Sequence, residues 1–265
     1  MSGLVSQAIG RRSFLIHAGR GVLGVAVLGL AACSSGNEPG AAADPGRSGS
    51  APGSTDATTV ASDGPTALAA LAWSRVDLGF VSAYVLVRGD EAAVVDTGVG
   101  GSADQIGAVL DDEGPGWAGV RHVVLTHKHP DHAGSLGEVA DRAGGATLYA
   151  GAADVDAIDA PRTLRAVADG DEVFGLQMVA TPGHTPGHVA VFDADSGVLV
   201  AGDALNNNAD GLTGAAPQFT EDEAAAADSV RKLAGLRPRV ILVGHGPPVE
   251  RGAAAALQRL ARSLG

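Results

Sequence analysis

Four potential metal ligands fall within six residues in the segment Thr126-His127-Lys128-His129-Pro130-Asp131-His132, directly after His122 to Thr126, an apolar run that reads as a strand. A fold that accommodates them must end a buried strand at a cleft edge, where side chains leave the core and converge. Alternation along extended backbone puts His127 and His129 on one side, so both imidazoles can reach one ion. Pro130 cannot continue a strand ladder. The chain therefore turns there and aims Asp131 and His132 at a point nearby, where a second ion can sit. Chance explains this poorly, because the chain has eight histidines in 265 residues and three of them are here.

Three further candidates each follow a predicted strand. His184 lies in Thr181-Pro182-Gly183-His184-Thr185-Pro186-Gly187-His188 after Gln177 to Ala180, Asp203 follows Val198 to Ala201, and His245 follows Val240 to Val243. A carboxylate at 203 can bridge two cations with its two oxygens. The glycines beside these residues let the backbone crowd the ions. His188 is read as a hydrogen-bonding neighbour of the ligands, since seven other groups already fill two sites. His122 and His17 are assigned to a core edge and to the leader.

The rest of the chain supplies a frame for such a cluster. Val81 to Val87 and Ala92 to Val95 flank a polar turn and predict a hairpin, with Trp73 to Leu78 as another strand. Ser102 with Gln105 has the pattern of a capping box, Ile106, Val109 and Leu110 form one helical face, and Gly114-Pro115 stops it. A second helix is predicted from Leu136 to Ala143, then strands at Thr147 to Ala150 and His188 to Asp193. Thr220 and Glu223 are expected to cap a helix carrying Val230, Leu233 and Leu236, and Ala253 to Leu264 closes the domain as an amphipathic helix. Hairpin followed by alternating strand and helix predicts an α/β fold of two packed sheets with helices outside. The segment from Ala204 to Phe219, with Asn206, Asn207 and Asn208, is expected to be a structureless loop at the cleft rim.

The HxHxDH cluster, the later single His, the Asp after Gly and the final Gly-His occur in the order seen in the metallo-β-lactamase superfamily, which the chain resembles over about residues 71 to 250. The resemblance implies an αββα sandwich, with His127, His129 and His184 on a first metal, Asp131, His132 and His245 on a second, and Asp203 bridging. Asp96, in Asp96-Thr97-Gly98, matches a position outside the ligands themselves. Two divalent ions are implied, zinc first, with iron or manganese as alternatives. The implied chemistry is attack by a metal-activated hydroxide on an ester, thioester or lactone, with Asp131 orienting the water or taking its proton.

The aspartate at 203 and the repeated Thr-Pro-Gly-His resemble the glyoxalase II and lactonase branch. Alternatives stay open at this point: an extracytoplasmic β-lactamase, an iron-dependent persulfide dioxygenase using His127, His129 and Asp203, or a non-catalytic metal-binding lipoprotein.

The first 33 residues are expected to be an export signal and the domain to span 67–265. Arg11-Arg12-Ser13-Phe14-Leu15 resembles a twin-arginine motif, and Leu30-Ala31-Ala32-Cys33 resembles a lipobox. The apolar stretch between them is shorter than the roughly 20 residues a transmembrane helix needs. Cys33 is the only cysteine, so no internal disulfide forms, and its lipidation would hold the protein on the outer face of a bacterial membrane. Residues 34–66, poor in large apolar side chains, read as a flexible tether. The formal charge of −12, without a Lys/Arg cluster, argues against nucleic acid and leaves a small molecule as the expected partner.

Overall fold

A computed structural model describes residues 68–264. The expectations placed on His17, Arg11, Arg12, Cys33 and the 34–66 tether lie outside the described residues. The first sheet runs in the order β1 (Ala72–Asp77), β2 (Ser82–Arg88), β3 (Glu91–Val95), β4 (Val120–Leu125), β5 (Thr147–Gly151) and β6 (Leu164–Val167). β1, β2 and β3 form an antiparallel meander, whereas β3 to β6 pair in parallel. Parallel neighbours need crossovers. These are α1 (Ala103–Glu113) with the short α2 (Gly116–Gly119), then α3 (Pro130–Ala133) with α4 (Leu136–Arg142), and between β5 and β6 a link with one 3-10 turn, Val155–Ala157.

The second sheet contains β7 (Glu172–Val173), β8 (Leu176–Ala180), β9 (Val189–Asp193), β10 (Val198–Asn208), β11 (Gly211–Gly214) and β12 (Val240–His245). β12 pairs with β10 in parallel, and its crossover is α5 (Glu223–Gly235). α6 (Ala253–Ser263) follows.

Three apolar layers hold these pieces. Ile106, Leu110, Leu136 and Val139 pack with Val85, Val94 and Val123 on the helix side of the first sheet. Leu86, Val95 and Val124 meet Met178, Val191 and Val200 between the sheets. Leu199, Ile241 and Val243 pack with Val230, Leu233 and Leu257 beneath α5 and α6. Because β3 is covered on both faces, its apolar run is continuous rather than alternating. The αββα sandwich is the architecture expected.

Several local expectations are corrected. Ser102 adopts helical backbone and its hydroxyl donates to Val99 O at 2.7 Å, so no capping box forms at α1. The cap of α5 is Asp222 rather than Thr220, its carboxylate accepting from the Ala225 amide at 2.9 Å. The strand from Val198 does not stop at Ala201. It continues through Asn208 and pairs with β11, so the segment from 204 to 214 is a hairpin and not a structureless loop. β6 and β7 were not anticipated, being only four and two residues long.

The parallel strands place the chemistry. Asp96 follows β3, Thr126 to His132 follow β4, and Asp154 follows β5, so the carboxyl ends of three neighbouring strands open onto one cleft. In open α/β sheets this is the edge at which ligands bind.

Candidate metal centre

Asp96 is set by its backbone before its side chain. It has φ of 63°, in the left-handed region that Asp tolerates better than most residues, and its amide donates to Val124 O at 2.9 Å. The carboxylate thereby faces β4. Its Oδ1 accepts from the Thr126 amide at 2.7 Å, and its Oδ2 accepts from Thr126 Oγ1 and from His132 Nδ1, each at 2.8 Å.

This network assigns the imidazole tautomers. With the Thr126 hydroxyl donating to Asp96, its oxygen accepts from His127 Nδ1 at 3.0 Å, which leaves His127 Nε2 unprotonated and turned toward His129. His132 likewise uses Nδ1 on Asp96 and turns Nε2 inward. His245 donates Nδ1–H to the Phe80 carbonyl at 2.6 Å, with its Nε2 3.1 Å from Asp203 and 3.4 Å from Asp131.

Seven side chains converge. His127, His129 and His184 form one group and Asp131, His132 and His245 another, the ligand atoms of each lying within 4.8 Å of one another; His127, His132 and Asp203 form a third, overlapping group. Asp203 lies between the first two, with Oδ1 3.2 Å from His132 Nε2 and Oδ2 3.4 Å from His184 Nε2. Gly244 makes the approach possible, since a Cβ there would collide with the Asp203 carboxylate.

His188 stands behind this set. Its Nε2 accepts from the Asp203 amide at 3.1 Å and its Nδ1 donates to Thr181 Oγ1 at 2.7 Å, so both ring nitrogens are used in holding Asp203. His122 lies at the sheet edge, 3.3 Å from the Tyr149 hydroxyl and away from the cluster.

The electrostatics divide the imidazoles. Burial pushes His127 well below its ordinary value, and it takes His184 down to about 4 and His188 to about 3, so all three are neutral. Hydrogen bonds to Asp131 and Asp203 lift His245 to about 10. Burial opposes the charge on His132, but Asp96 and Asp203 outweigh it and hold the value well above normal. Burial also opposes ionisation of Asp203 and Asp131, and the neighbouring imidazoles overcome it in both.

The donor set fits divalent cations. His132 Nε2 and Asp203 Oδ1, both facing into the cluster, are buried without a hydrogen-bond partner, although such atoms normally find one. His129 Nδ1 lies 3.1 Å from His127 Nε2 and 2.9 Å from His184 Nε2. Two nitrogens on one tetrahedral ion, each about 2.0–2.1 Å from it, stand about 3.3 Å apart. Imidazole and carboxylate together suit zinc, iron and manganese.

Sequence reasoning missed Asp154. It is fully buried and accepts from the Lys128 amide at 3.1 Å, Thr185 Oγ1 at 2.6 Å and the Gly187 amide at 2.8 Å, tying the loop of His127 and His129 to the loop of His184. The one available signal was its place just after a strand ending in glycine. Phe80 was also missed, because its carbonyl acts through the backbone and no residue type marks that. Lys128 points elsewhere, paired with Glu221 at 2.7 Å.

Comparison with known proteins gives a consistent result. The model of the Metallo-beta-lactamase superfamily matches residues 76–245. A Bacillus subtilis protein, Probable metallo-hydrolase YflN, is 48% identical over 82 residues, 27% of this chain and 31% of that protein. Hydroxyacylglutathione hydrolase of Rhodospirillum rubrum is 33% identical over 139 residues, covering 50% of each chain. The chain thus spans about a third of the first relative and half of the second. A metallo-beta-lactamase family protein from Thermus thermophilus, known from a crystal structure, superposes with TM-score 0.58 at 25% identity, covering 73% of this chain and 77% of that one.

Proposed function

The chain belongs to the metallo-beta-lactamase superfamily, and from that premise we propose that it is a metal-dependent hydrolase that cleaves a carboxylic ester, thioester or lactone using two divalent ions. His127, His129 and His184 would hold one ion, Asp131, His132 and His245 the other, and Asp203 both. One observation carries this reading: two triads of ligand atoms flank a buried carboxylate that reaches both, its Oδ2 lying 3.4 Å from His184 Nε2 of one and 3.1 Å from His245 Nε2 of the other.

When bound, such a pair of ions supplies Lewis acidity and a water acidic enough to react near neutral pH. Zinc is the metal we assign, since no step requires redox chemistry. The chain's own groups do the rest. Asp131 lines the open cleft with its carboxylate held ionised, and it orients the attacking water and takes up its proton. Asp96 fixes the Nδ1 protons on His132 directly and on His127 through Thr126, so both present Nε2 inward. His188 fixes the backbone of Asp203. No serine or cysteine nucleophile is required.

The test combines metal analysis of the purified protein with a panel of lactones, thioesters, esters and a chromogenic cephalosporin. Two equivalents of zinc with turnover of acyl donors are expected. Iron with oxygen consumption on a persulfide would instead establish a dioxygenase, and turnover confined to the cephalosporin a β-lactamase. A protein that takes up no transition metal would end the reading. We also propose that the domain works outside the cytoplasm, exported through Arg11 and Arg12 and anchored at Cys33. Normal export of an Arg11→Lys, Arg12→Lys variant, or absence of acyl label at Cys33, would each remove its part of that proposal.

A further inference from the structure

The metal cluster forms the floor of a cleft of about 1210 Å³, ample for a drug-sized molecule. Its walls differ from its floor. Phe80, Pro217, Phe219, Leu260 and Leu264 line it, and no lysine or arginine among the described residues does. Phe80 and Phe219 each leave 64% of their surface exposed, although large apolar side chains elsewhere in the domain are mostly buried. Such uncovered apolar surface is favourable to cover.

Each asparagine side chain of the rim already makes one hydrogen bond. Asn206 Nδ2 donates to Gly214 O at 3.1 Å, Asn207 Nδ2 donates to Pro247 O at 2.8 Å, and Asn208 Oδ1 accepts from the Asp210 amide at 2.9 Å. Asn206 and Asn208 brace the hairpin of β10 and β11 and Asn207 ties it to the segment after β12, and a neutral amide does not match a carboxylate as a charged donor does. The closest basic side chain along the ligand segment, Lys128, is paired with Glu221. An anionic substituent reaching up the walls would lose its hydration and meet no lysine or arginine of the described residues in return.

We propose that this cleft selects acyl donors whose acyl group is neutral and apolar, that it disfavours those ending in a carboxylate, and that Phe80 and Phe219 are the specificity-determining side chains. The proposal rests on the hydrolase reading above and narrows its substrate class.

The test uses full-length protein and p-nitrophenyl esters from acetyl to octanoyl, together with the octanedioyl monoester. kcat/KM is expected to rise about three- to fourfold per added methylene until the cleft is filled, from transfer of apolar surface out of water. The octanedioyl monoester should be cleaved at least tenfold more slowly than the octanoyl ester, an expected effect of roughly that order for an unpaired carboxylate. Phe80→Ala and Phe219→Ala should each lower the octanoyl-to-acetyl ratio by about tenfold. Phe219→Lys should shift preference toward the octanedioyl ester, which general damage to the fold would not do. Binding of a non-cleavable dansyl N-octylamide, weakened by the same alanine variants, gives a readout apart from turnover. Rates independent of chain length, or a preference for the carboxylate-ended ester, would overturn the inference while leaving a hydrolase. Tight amide binding with no cleavage of any acyl donor would support the apolar cleft and defeat the hydrolase reading.

Discussion

Arg88 and Asp193 meet at one end of the two sheets, while Asp96, Asp203 and the imidazoles of the cluster meet at the other. The two sites share strands: Arg88 ends β2 and Asp193 ends β9, whereas Asp96 follows β3 and His188 precedes β9. Both bury charge, and they resolve its cost differently. Arg88 Nη2 lies 2.6 Å from Asp193 Oδ1, its Nη1 donates to Ala69 O at 2.7 Å, and Ser196 serves the remaining Asp193 oxygen. Only Arg88 Nε lacks a hydrogen bond, and the guanidinium lies 5.9 Å from the centre of the Phe174 ring. That site closes on itself and pins sheet to sheet. The cluster, in contrast, leaves a carboxylate oxygen of Asp203 and the inward-facing Nε2 of His132 without hydrogen-bond partners. A charge cluster that satisfies itself is structural; one whose free atoms converge is built for something else to bind.

Substitutions can break this contrast. Asp203→Ala should have the largest effect, abolishing turnover and lowering the metal-to-protein ratio, while the fold seen by circular dichroism is retained. Retention of two metal equivalents would deny Asp203 its bridging place. Arg88→Met is expected to cost about 3–5 kcal/mol of stability by stranding Asp193, with metal content unchanged. The double variant Arg88→Met, Asp193→Leu should recover most of that loss, because removing both charges also removes their desolvation. Chemical denaturation measures both. If the single variant is as stable as the parent, the sheets do not depend on this pair.

Asp96→Ala should weaken metal affinity by about 10–100-fold, as expected for a group that orients ligands without being one. Chelator competition reads this out, and an unchanged affinity would remove Asp96 from the network. The acid response distinguishes the ends in a smaller way. Burial opposes the charge on Asp193, but Ser196 and Arg88 outweigh it and lower its value in the folded state. Its stabilisation is therefore complete above the unfolded carboxyl value of about 3.9 and is lost as pH falls through the lower folded value. The double variant should show a flatter acid unfolding curve below about pH 4. Smallest of all, Asn207→Ala should cost about 1 kcal/mol through its lost bond to Pro247, visible as a slight fall in Tm.

Much of the site was legible because its ligands come as short local patterns at strand ends. His127 to His132 needs no distant partner to be recognised, and Gly202-Asp203 and Gly244-His245 carry the small residue that a crowded approach demands. The frame was legible for a related reason, since strands buried on both faces and helices buried on one leave different periodicities. Capping was less so. Ser102 and Thr220 each had the pattern, but in the folded chain Ser102 turns to Val99, and Asp222 stands where the α5 cap is needed.

The identities of the seven converging groups and the apolar periods of the layers were settled by the amino-acid order alone, because ligand type and burial pattern are properties of individual residues and their spacing. The tertiary structure decided what depends on pairs far apart in the chain. Asp154 joins two histidine loops, the Phe80 carbonyl holds His245 Nδ1 across 165 residues, and Asn206 braces a hairpin while Asn207 reaches Pro247 beyond β12. A hydrogen bond is defined by two partners and an angle, and one-dimensional sequence names only the first partner.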